Sequence, residues 1–215
     1  MDRTDPPHDP TRVRDTYEHI AHDFDRTRER PWPAVERFIK ATAHVDTALD
    51  LGCGNGRHLD LLANRAERVV GIDVSRAMLT VASQRVTGSV QFLEASARWL
   101  PLRSGSVDLA IYIATMHHLP SPTDRIASLD QIAEVLSGGG RVLVSVWSVS
   151  HERFDATEAF DTLVDWTLPD GETVPRYYHI YDHQTFSTEI EASQFDIVRL
   201  WQEAGNLYAH LEVES

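Results

Sequence analysis

The sequence predicts an α/β fold in which helices cover both faces of a mostly parallel β-sheet. Segments with strand-like and helix-like patterns alternate over residues 45–147, as they do where helices connect parallel strands. A glycine-rich turn joins the first of these strands to the helix that follows it. Two apolar segments near the C-terminal end flank a turn at residues 203–206, which predicts a hairpin that adds an antiparallel last strand.

The spacing of apolar residues predicts each element in turn. Two helices are predicted within residues 11–41, after a polar tail at residues 1–10 that we expect to be disordered. The predicted strands are residues 45–51, 68–73, 90–94, 106–114, 140–147, 195–202 and 207–213. The predicted helices between them are residues 56–63, 75–85, 121–136 and 186–193. Residues 148–181 interrupt this pattern with a polar, aromatic-rich insertion, and the length favours one domain over residues 11–215.

The composition limits the class of protein. Cys53 is the only cysteine, which excludes an internal disulfide and a zinc site built on cysteines. No apolar run is long enough to span a membrane, and the first residues do not have the pattern of a signal sequence. We therefore expect a cytoplasmic protein with no membrane attachment and no metal site.

The formal net charge of −13 is large, and Lys40 is the only lysine beside 19 arginines. Two interpretations remain open. An acidic surface repels phosphate backbones, which argues against unaided binding of nucleic acid. Alternatively, the protein is halophilic, and its acidic surface maintains solubility in concentrated salt, where screening makes the sign of the charge uninformative about the substrate.

The strongest local motif is the glycine-rich turn at residues 50–56, with the sequence Asp-Leu-Gly-Cys-Gly-Asn-Gly. Glycines at such a turn let the backbone approach a ligand closely, and the helix after it presents free N–H groups. An acidic residue opens the motif, which suits a ligand ammonium better than a pyrophosphate. The predicted ligand-binding residues of the turn are Asp50, Gly52, Gly54, Asn55 and Gly56.

A second acidic residue, Asp73, ends the next predicted strand 23 residues after Asp50. This interval is close to the one at which a carboxylate reaches the ribose hydroxyls of a bound nucleoside. The alternative is a turn aspartate that caps the following helix. Behind a glycine-rich turn, the nucleoside interpretation is the stronger of the two.

These two segments resemble motifs I and II of the class I S-adenosylmethionine-dependent methyltransferases, and the resemblance extends over residues 45–147. It implies a Rossmann-like, seven-stranded, mostly parallel sheet with an antiparallel last strand, and S-adenosylmethionine as cofactor. Ser96 stands where many members of the family place an aspartate that contacts adenine. The further cofactor-binding residues that the resemblance implies are Arg28, Val74, Met78, Ser96, Ala97, Ala114 and His118.

Three further segments resemble the tRNA wobble-uridine carboxymethyl methyltransferases, which methyl-esterify 5-carboxymethyluridine. They are residues 17–33, 114–118 and 176–181. The resemblance implies a tRNA substrate and a heterodimer with a small zinc-ribbon-type activator subunit, for which the apolar strand at residues 68–72 is a candidate docking edge. It also places the insertion at residues 148–181 on the substrate side.

A carboxylate acceptor is already ionised at neutral pH, so its methylation needs orientation and desolvation rather than a strong base. Arg28 and Arg176 are candidates to clamp a carboxylate or phosphate. The candidates to stack on a base are Trp32, Tyr177 and Tyr178. His117 and His179 are candidates to hydrogen-bond the substrate.

Several of these assignments have a structural alternative. Arg28 could instead be an ion-pair partner, and Trp32 could pack the N-terminal helices onto the sheet. One of Tyr177 and Tyr178, and one of the adjacent histidines His117 and His118, could be core residues. Two other functions stay open. The many acidic residues of the insertion favour a small-molecule O- or C-methyltransferase, and Ser96 in place of the usual aspartate favours a cofactor-binding subunit without catalytic activity.

Overall fold

The structure is a computed structural model that describes residues 10–213, with side chains from residue 13 onward. Except for Pro10, the tail predicted at residues 1–10 lies outside the described residues. The helices are α1 Pro10–Thr27, α2 Pro33–Ala41, α3 Leu59–Ala63, α4 Arg76–Arg85, α5 Pro122–Val135 and α6 His183–Glu191. The strands are β1 Val45–Leu51, β2 Ala66–Asp73, β3 Val90–Glu94, β4 Val107–Ile113, β5 Leu136–Trp147, β6 Phe160–Thr167, β7 Thr173–Ile180, β8 Asp196–Glu203 and β9 Asn206–Glu212.

Seven strands form one sheet in the order β3-β2-β1-β4-β5-β9-β8. Strands β1 to β5 are parallel, and β9 pairs antiparallel with β5 and with β8. The predicted seven-stranded sheet with an antiparallel last strand is therefore confirmed. The carboxyl ends of β1 to β4 lie at one edge, so the loops that follow them meet there, as open α/β sheets require for a ligand site.

Two apolar cores cover the faces of the sheet, one beneath α5 and α6 and the other beneath α2 and α3. The central strands β1 and β4 contribute buried side chains to both cores, since they are covered on both faces. No helix among residues 10–213 is both long and apolar enough to cross a bilayer.

The structure differs from the sequence prediction at the first helix after the glycine-rich turn. This helix begins at Leu59 rather than at Gly56. Gly52, Gly54 and Gly56 all have positive φ angles, of 69°, 53° and 75°, which hold the chain out of the helical conformation.

The insertion contains a β-hairpin, which the sequence analysis did not predict. Strands β6 and β7 pair antiparallel as a separate two-stranded sheet. Trp166 of β6 packs against Ile20 and Ala21 of α1, and its indole Nε1 donates a hydrogen bond of 2.8 Å to Asp23 Oδ2. The hairpin is therefore held against the N-terminal helix.

The proposed docking edge at residues 68–72 is wrong. These residues belong to β2, which lies inside the sheet between β1 and β3 and forms its backbone hydrogen bonds with both. The free edges of the sheet are β3 and β8.

Candidate active site

A cavity of about 330 Å³ lies at the carboxyl edge of the sheet. Two walls enclose it. We call the first the sheet wall; it consists of residues 50–54, 73–74, 95–98 and 113–115, which end β1 to β4 or follow them. We call the second the helix–hairpin wall, and it consists of Tyr17, Phe24 and Arg28 from α1 and the residue after it, and Arg176 and Tyr178 from β7.

The predicted site residues that line the cavity are Arg28, Trp32, Asp50, Gly52, Gly54, Asn55, Asp73, Val74, Met78, Ser96, Ala97, Ala114, His117, His118 and Arg176. Separate segments of the chain thus bring most of the predicted residues to one place.

The backbone of the glycine-rich turn is fixed by its neighbours. Gly52 N donates to Ile72 O at 2.7 Å, and Gly54 N donates to Asp73 Oδ2 at 2.9 Å. A Cβ atom at Gly52 would lie 2.7 Å from Thr115 Cβ, closer than real side chains approach. Glycine is therefore required at position 52 both by its positive φ and by the contact with Thr115.

Asp50 is 1% exposed, and its Oδ2 has no hydrogen-bond partner among the described residues. Burial raises the pKa of Asp50 to about 8. A buried carboxyl without a partner is unfavourable in its charged form unless a cation approaches it. The site therefore fits a ligand that brings a positive group to Asp50.

Asp73 has both of the roles that the sequence left open. Its Oδ1 accepts a hydrogen bond of 2.9 Å from Ser75 N, as a turn aspartate does, while Oδ2 fixes Gly54. It also lines the cavity, where a carboxylate oxygen has capacity for further donors. Burial raises the pKa of Asp73 to about 6.

Asn55 connects the turn to the segment after α1. Its Nδ2 donates to Asp25 Oδ1 and to Arg28 O, both at 2.9 Å, and Arg85 pairs with the same Asp25 carboxylate at 2.8 Å. The side-chain amide is thus engaged within the protein.

On the helix–hairpin wall, Arg176 is 6% exposed, and its Nε has no hydrogen-bond partner among the described residues. Its guanidinium lies over the rings of Trp166 and Tyr178, at 4.8 and 5.2 Å from their centroids. Arg28 lies over Trp166 from another direction, at 5.2 Å. Cation–π contacts orient both guanidinium groups. Arg28 Nη1 also donates to Thr27 O at 3.2 Å, whereas Arg176 Nε is available to an anion.

The two histidines after β4 are neutral and have defined tautomers. His118 Nδ1 lies 2.8 Å from the carbonyl oxygen of Tyr177, so this nitrogen is the donor, and Nε2 accepts from the Tyr17 hydroxyl at 2.8 Å. Burial lowers the pKa of His118 to about 3. His117 Nδ1 accepts from Trp147 N at 3.1 Å, and burial lowers its pKa well below the usual value. The proton of His117 is therefore on Nε2, which gives the cavity a neutral donor.

Trp32 packs the N-terminal segment onto the sheet, which was the structural alternative for it, and it also lines the cavity. Its ring packs edge-to-face on Tyr208 of β9, with centroids 6.4 Å apart, and Arg57 lies over it at 4.9 Å.

Tyr177, His179 and Gly56 do not line the cavity, which corrects their assignment to the site. Side chains alternate along a strand, so Tyr177 and His179 lie on the opposite face of β7 from Arg176. There the Tyr177 hydroxyl donates to Pro120 O, and His179 pairs with Asp161 at 2.6 Å. Gly56 packs against α4 and its end, where a Cβ would meet Ala82 and Val86 at 3.0 Å.

Several residues of the cavity were missed: Tyr17, Phe24, Arg57, Thr115 and Trp147. Arg57 directly follows the glycine-rich turn, which was the available signal for it. Burial and, after it, the charge of the nearby Arg28 lower the pKa of Arg57 to about 10.

Residues 49–144 match a family described as a methyltransferase domain. The chain carries a methyltransferase domain. Its fold is that of class I S-adenosylmethionine-dependent methyltransferases, as a structure titled DhpI–SAH complex illustrates with a TM-score of 0.75 and 21% identity over 95% of this chain and 96% of that one. The predicted resemblance is confirmed.

Curated relatives of this methyltransferase domain include tRNA (carboxymethyluridine(34)-5-O)-methyltransferases. The Saccharomyces cerevisiae protein is 30% identical over 76% of this chain and 59% of its own length. The Macaca fascicularis protein ALKBH8 is 36% identical over 65% of this chain and 20% of its own length. The chain thus spans less than two thirds of the length of these relatives.

A further solved structure is a complex of the Haloferax volcanii Trm112 methyltransferase activator with a methyltransferase. It superposes with a TM-score of 0.72 at 18% identity, covering 94% of this chain and 98% of that one.

Proposed function

We propose that this protein binds S-adenosylmethionine in the cavity and transfers its methyl group to the carboxylate of 5-carboxymethyluridine at the wobble position of tRNA. The observation that carries the proposal is the contrast between the walls. One presents the buried carboxyl of Asp50 and the half-buried carboxyl of Asp73. The other presents the buried guanidinium of Arg176, whose Nε has no partner among the described residues, which suits an anionic acceptor.

The sheet wall suits the cofactor. Asp50 accepts the ammonium of the amino-acid part, which supplies the cation that its buried carboxyl lacks. Asp73 accepts the ribose hydroxyls, and Ser96 and Ala97 lie beside the adenine. The cofactor supplies a methyl group activated by the sulfonium.

The helix–hairpin wall suits a carboxylate acceptor. Arg176 and Arg28 orient the carboxylate, and His117 donates its Nε2 hydrogen to the bound substrate. The carboxylate oxygen forms the new bond to carbon as the bond from carbon to sulfur breaks, so no proton has to be removed. The low pKa values of His117 and His118 are compatible with this, because neither imidazole is needed as a strong base.

The names of the relatives support the tRNA substrate, and such a substrate favours a cytoplasmic enzyme. The Haloferax volcanii complex supports an activator subunit as partner. Of the two free edges of the sheet, β3 leads directly into the cofactor-binding loop and is followed by Trp99, which is 70% exposed. We therefore place the activator at β3 instead of residues 68–72.

The test is methylation of tRNA that carries 5-carboxymethyluridine, with labelled S-adenosylmethionine, in the presence and absence of an activator subunit. We expect labelled methyl-ester uridine when the digested tRNA is analysed by mass spectrometry. If labelled cofactor is bound but no methyl ester forms under either condition, the assignment of the substrate is wrong.

The second candidate is a small-molecule methyltransferase. The outward positions of the hairpin favour it, because Asp161 and Asp165 are exposed there and repel phosphates. Turnover with metabolite extracts freed of RNA, without turnover of tRNA, would select this alternative.

A further inference from the structure

A second, shallow basin of about 450 Å³ opens beside the main cavity. We call it the arginine basin; it is lined by Arg26, Thr27, Arg28, Glu29, Arg30, Trp32 and Arg57. Arg28, Trp32 and Arg57 also line the main cavity, so the two spaces share a wall. Arg26 and Arg30 line the basin alone.

This concentration of positive charge is unusual in a chain with a net charge of −13. Other arginines form ion pairs: Arg37 with Glu203, Arg85 with Asp25, Arg98 with Asp124 and Arg125 with Glu189. None of the four basin arginines has a carboxylate within 4.0 Å among the residues with described side chains. Glu29 is the one acidic residue in the lining.

Two of these arginines, Arg28 and Arg57, also act on each other. The pKa of Arg57 is lowered to about 10, first by burial and then by the charge of Arg28, while Asp50 on the side of the main cavity partly offsets this. Like charges around a concave surface favour an anion between them. A planar guanidinium can form bidentate hydrogen bonds with two oxygens of a phosphate.

We propose that the arginine basin binds a backbone phosphodiester of the RNA strand whose nucleoside enters the main cavity. This inference rests on the proposed function. A nucleoside that turns out of its strand stays tied to phosphates on either side, so a phosphate site is needed next to the cavity that takes the base. The basin meets this requirement, because Trp32, Arg28 and Arg57 form the boundary between the two spaces.

Arg28 and Arg57 are poor positions for a test because they also line the cofactor cavity. Arg26 and Arg30 are exposed, at the end of α1 and in the loop after it. The test is therefore the double variant Arg26→Ser/Arg30→Ser. Its matched control is Arg103→Ser, which removes an exposed arginine from the loop before β4, at the opposite edge of the sheet.

The measurement is the affinity of each protein for a labelled anticodon stem-loop RNA, by fluorescence anisotropy over a series of salt concentrations. We expect the double variant to raise the dissociation constant about tenfold, the effect of losing one charge-assisted phosphate contact. The slope of log affinity against log salt should become shallower by about 0.7 for one phosphate of a single strand. The Arg103→Ser variant should bind the RNA as the wild type does. The affinity of the double variant for S-adenosylmethionine should also equal that of the wild type.

The inference is overturned if the double variant binds the RNA with wild-type affinity and salt dependence, whether or not the wild type methylates it. It is also overturned if the double variant loses affinity for inorganic phosphate only, because the basin would then serve a free anion. If wild-type protein does not methylate the RNA but the double variant binds it less tightly, the phosphate site stands and the proposed reaction fails.

Discussion

The two walls of the cavity are built in different ways. The sheet wall comes from loops that directly follow adjacent parallel strands, so its carboxyls and its glycine-rich turn are set by local chain geometry. The helix–hairpin wall is assembled by contacts between distant segments: Tyr17 with His118, 101 positions apart, and Asp23 with Trp166, 143 apart. One half of the site is therefore intrinsic to the sheet, and the other depends on how α1 and the hairpin pack onto it.

The largest effect is expected at the sheet wall, for Gly52→Ala. The new methyl group overlaps with Thr115, and the backbone at position 52 has a positive φ, which is unfavourable for alanine. We therefore expect the free energy of unfolding to fall by about 2 to 4 kcal/mol. Urea denaturation without cofactor measures it. The matched control is Gly105→Ala, where φ is also positive, 66°, but nothing lies within 4 Å of the new atom.

Gly105→Ala should cost about 1 kcal/mol, from the backbone conformation alone. If the two variants are equally stable, the contact with Thr115 does not constrain the turn. The sheet wall would then not be fixed by local chain geometry.

At the helix–hairpin wall, Arg176→Ala should lower kcat/KM by about 10- to 150-fold, the range for a lost charged hydrogen bond of about 1.5 to 3 kcal/mol. Cofactor affinity, measured by calorimetry, should change less than about twofold, because Arg176 is assigned to the acceptor. Arg199→Ala is the control, since its guanidinium also lies over an indole ring, that of Trp201 at 4.9 Å on β8. Equal losses of catalysis and cofactor affinity would place Arg176 on the cofactor side.

The walls should also differ in their response to pH. Asp50 has a pKa of about 8 in the ligand-free protein, and an ammonium partner needs its charged form. Affinity for S-adenosylmethionine should therefore rise about tenfold per pH unit between pH 6 and 7.5. Asp50→Asn should bind more weakly, with a flatter dependence on pH. A profile for the wild type as flat as that of the variant contradicts the assignment of Asp50 to the ammonium.

The same pKa shift affects stability. The folded-state pKa of Asp50 lies above the ordinary value of 3.8, so its contribution to stability is fully present below that value and is lost as the pH rises through about 8. The buried histidines His117 and His118, whose pKa values are lowered, act in the opposite direction in wild type and variant alike, so the comparison with Asp50→Asn isolates Asp50. In thermal unfolding of the ligand-free proteins, the melting temperature of Asp50→Asn relative to that of the wild type should rise between pH 5 and pH 8.

The smallest effect is expected for Tyr17→Phe, which leaves Nε2 of buried His118 without its donor. We expect a loss of about 1 kcal/mol in the free energy of unfolding, the cost of a buried acceptor without a partner. Tyr177→Phe, whose hydroxyl makes a 3.3 Å bond at the half-buried outer face of the hairpin, should cost less. The reverse order would mean that the Tyr17 bond does not hold α1 onto the site.

The sequence predicted the sheet and the sheet wall well because both are encoded locally. The motif around Asp50 and the position of Asp73 need only the strand-to-helix turn to be correct. Tyr177 and His179 were misplaced because the phase of β7 is not visible in the sequence: the strand alternates, and only packing decides which face meets the cavity.

The hairpin itself was missed for a related reason. In β6 the inward positions Val164 and Trp166 alternate with outward ones, but the outward residue Leu163 is apolar and 51% exposed, so the alternation of apolar and polar residues was not distinctive. Trp166 was therefore not expected beside Arg28 and Arg176, although it orients both guanidinium groups.

The amide of Asn55 has a consequence for the coupling between the two sites. The side-chain amide donates hydrogen bonds to both Asp25 and the carbonyl oxygen of Arg28, so it connects the glycine-rich turn to the arginine-bearing segment that follows α1. A change in the position of the turn would therefore also move the site proposed for the RNA phosphate. Any effect of the proposed cofactor on the affinity for the proposed RNA should therefore be matched by an equal effect of the RNA on the affinity for the cofactor, because coupling between two binding sites is reciprocal.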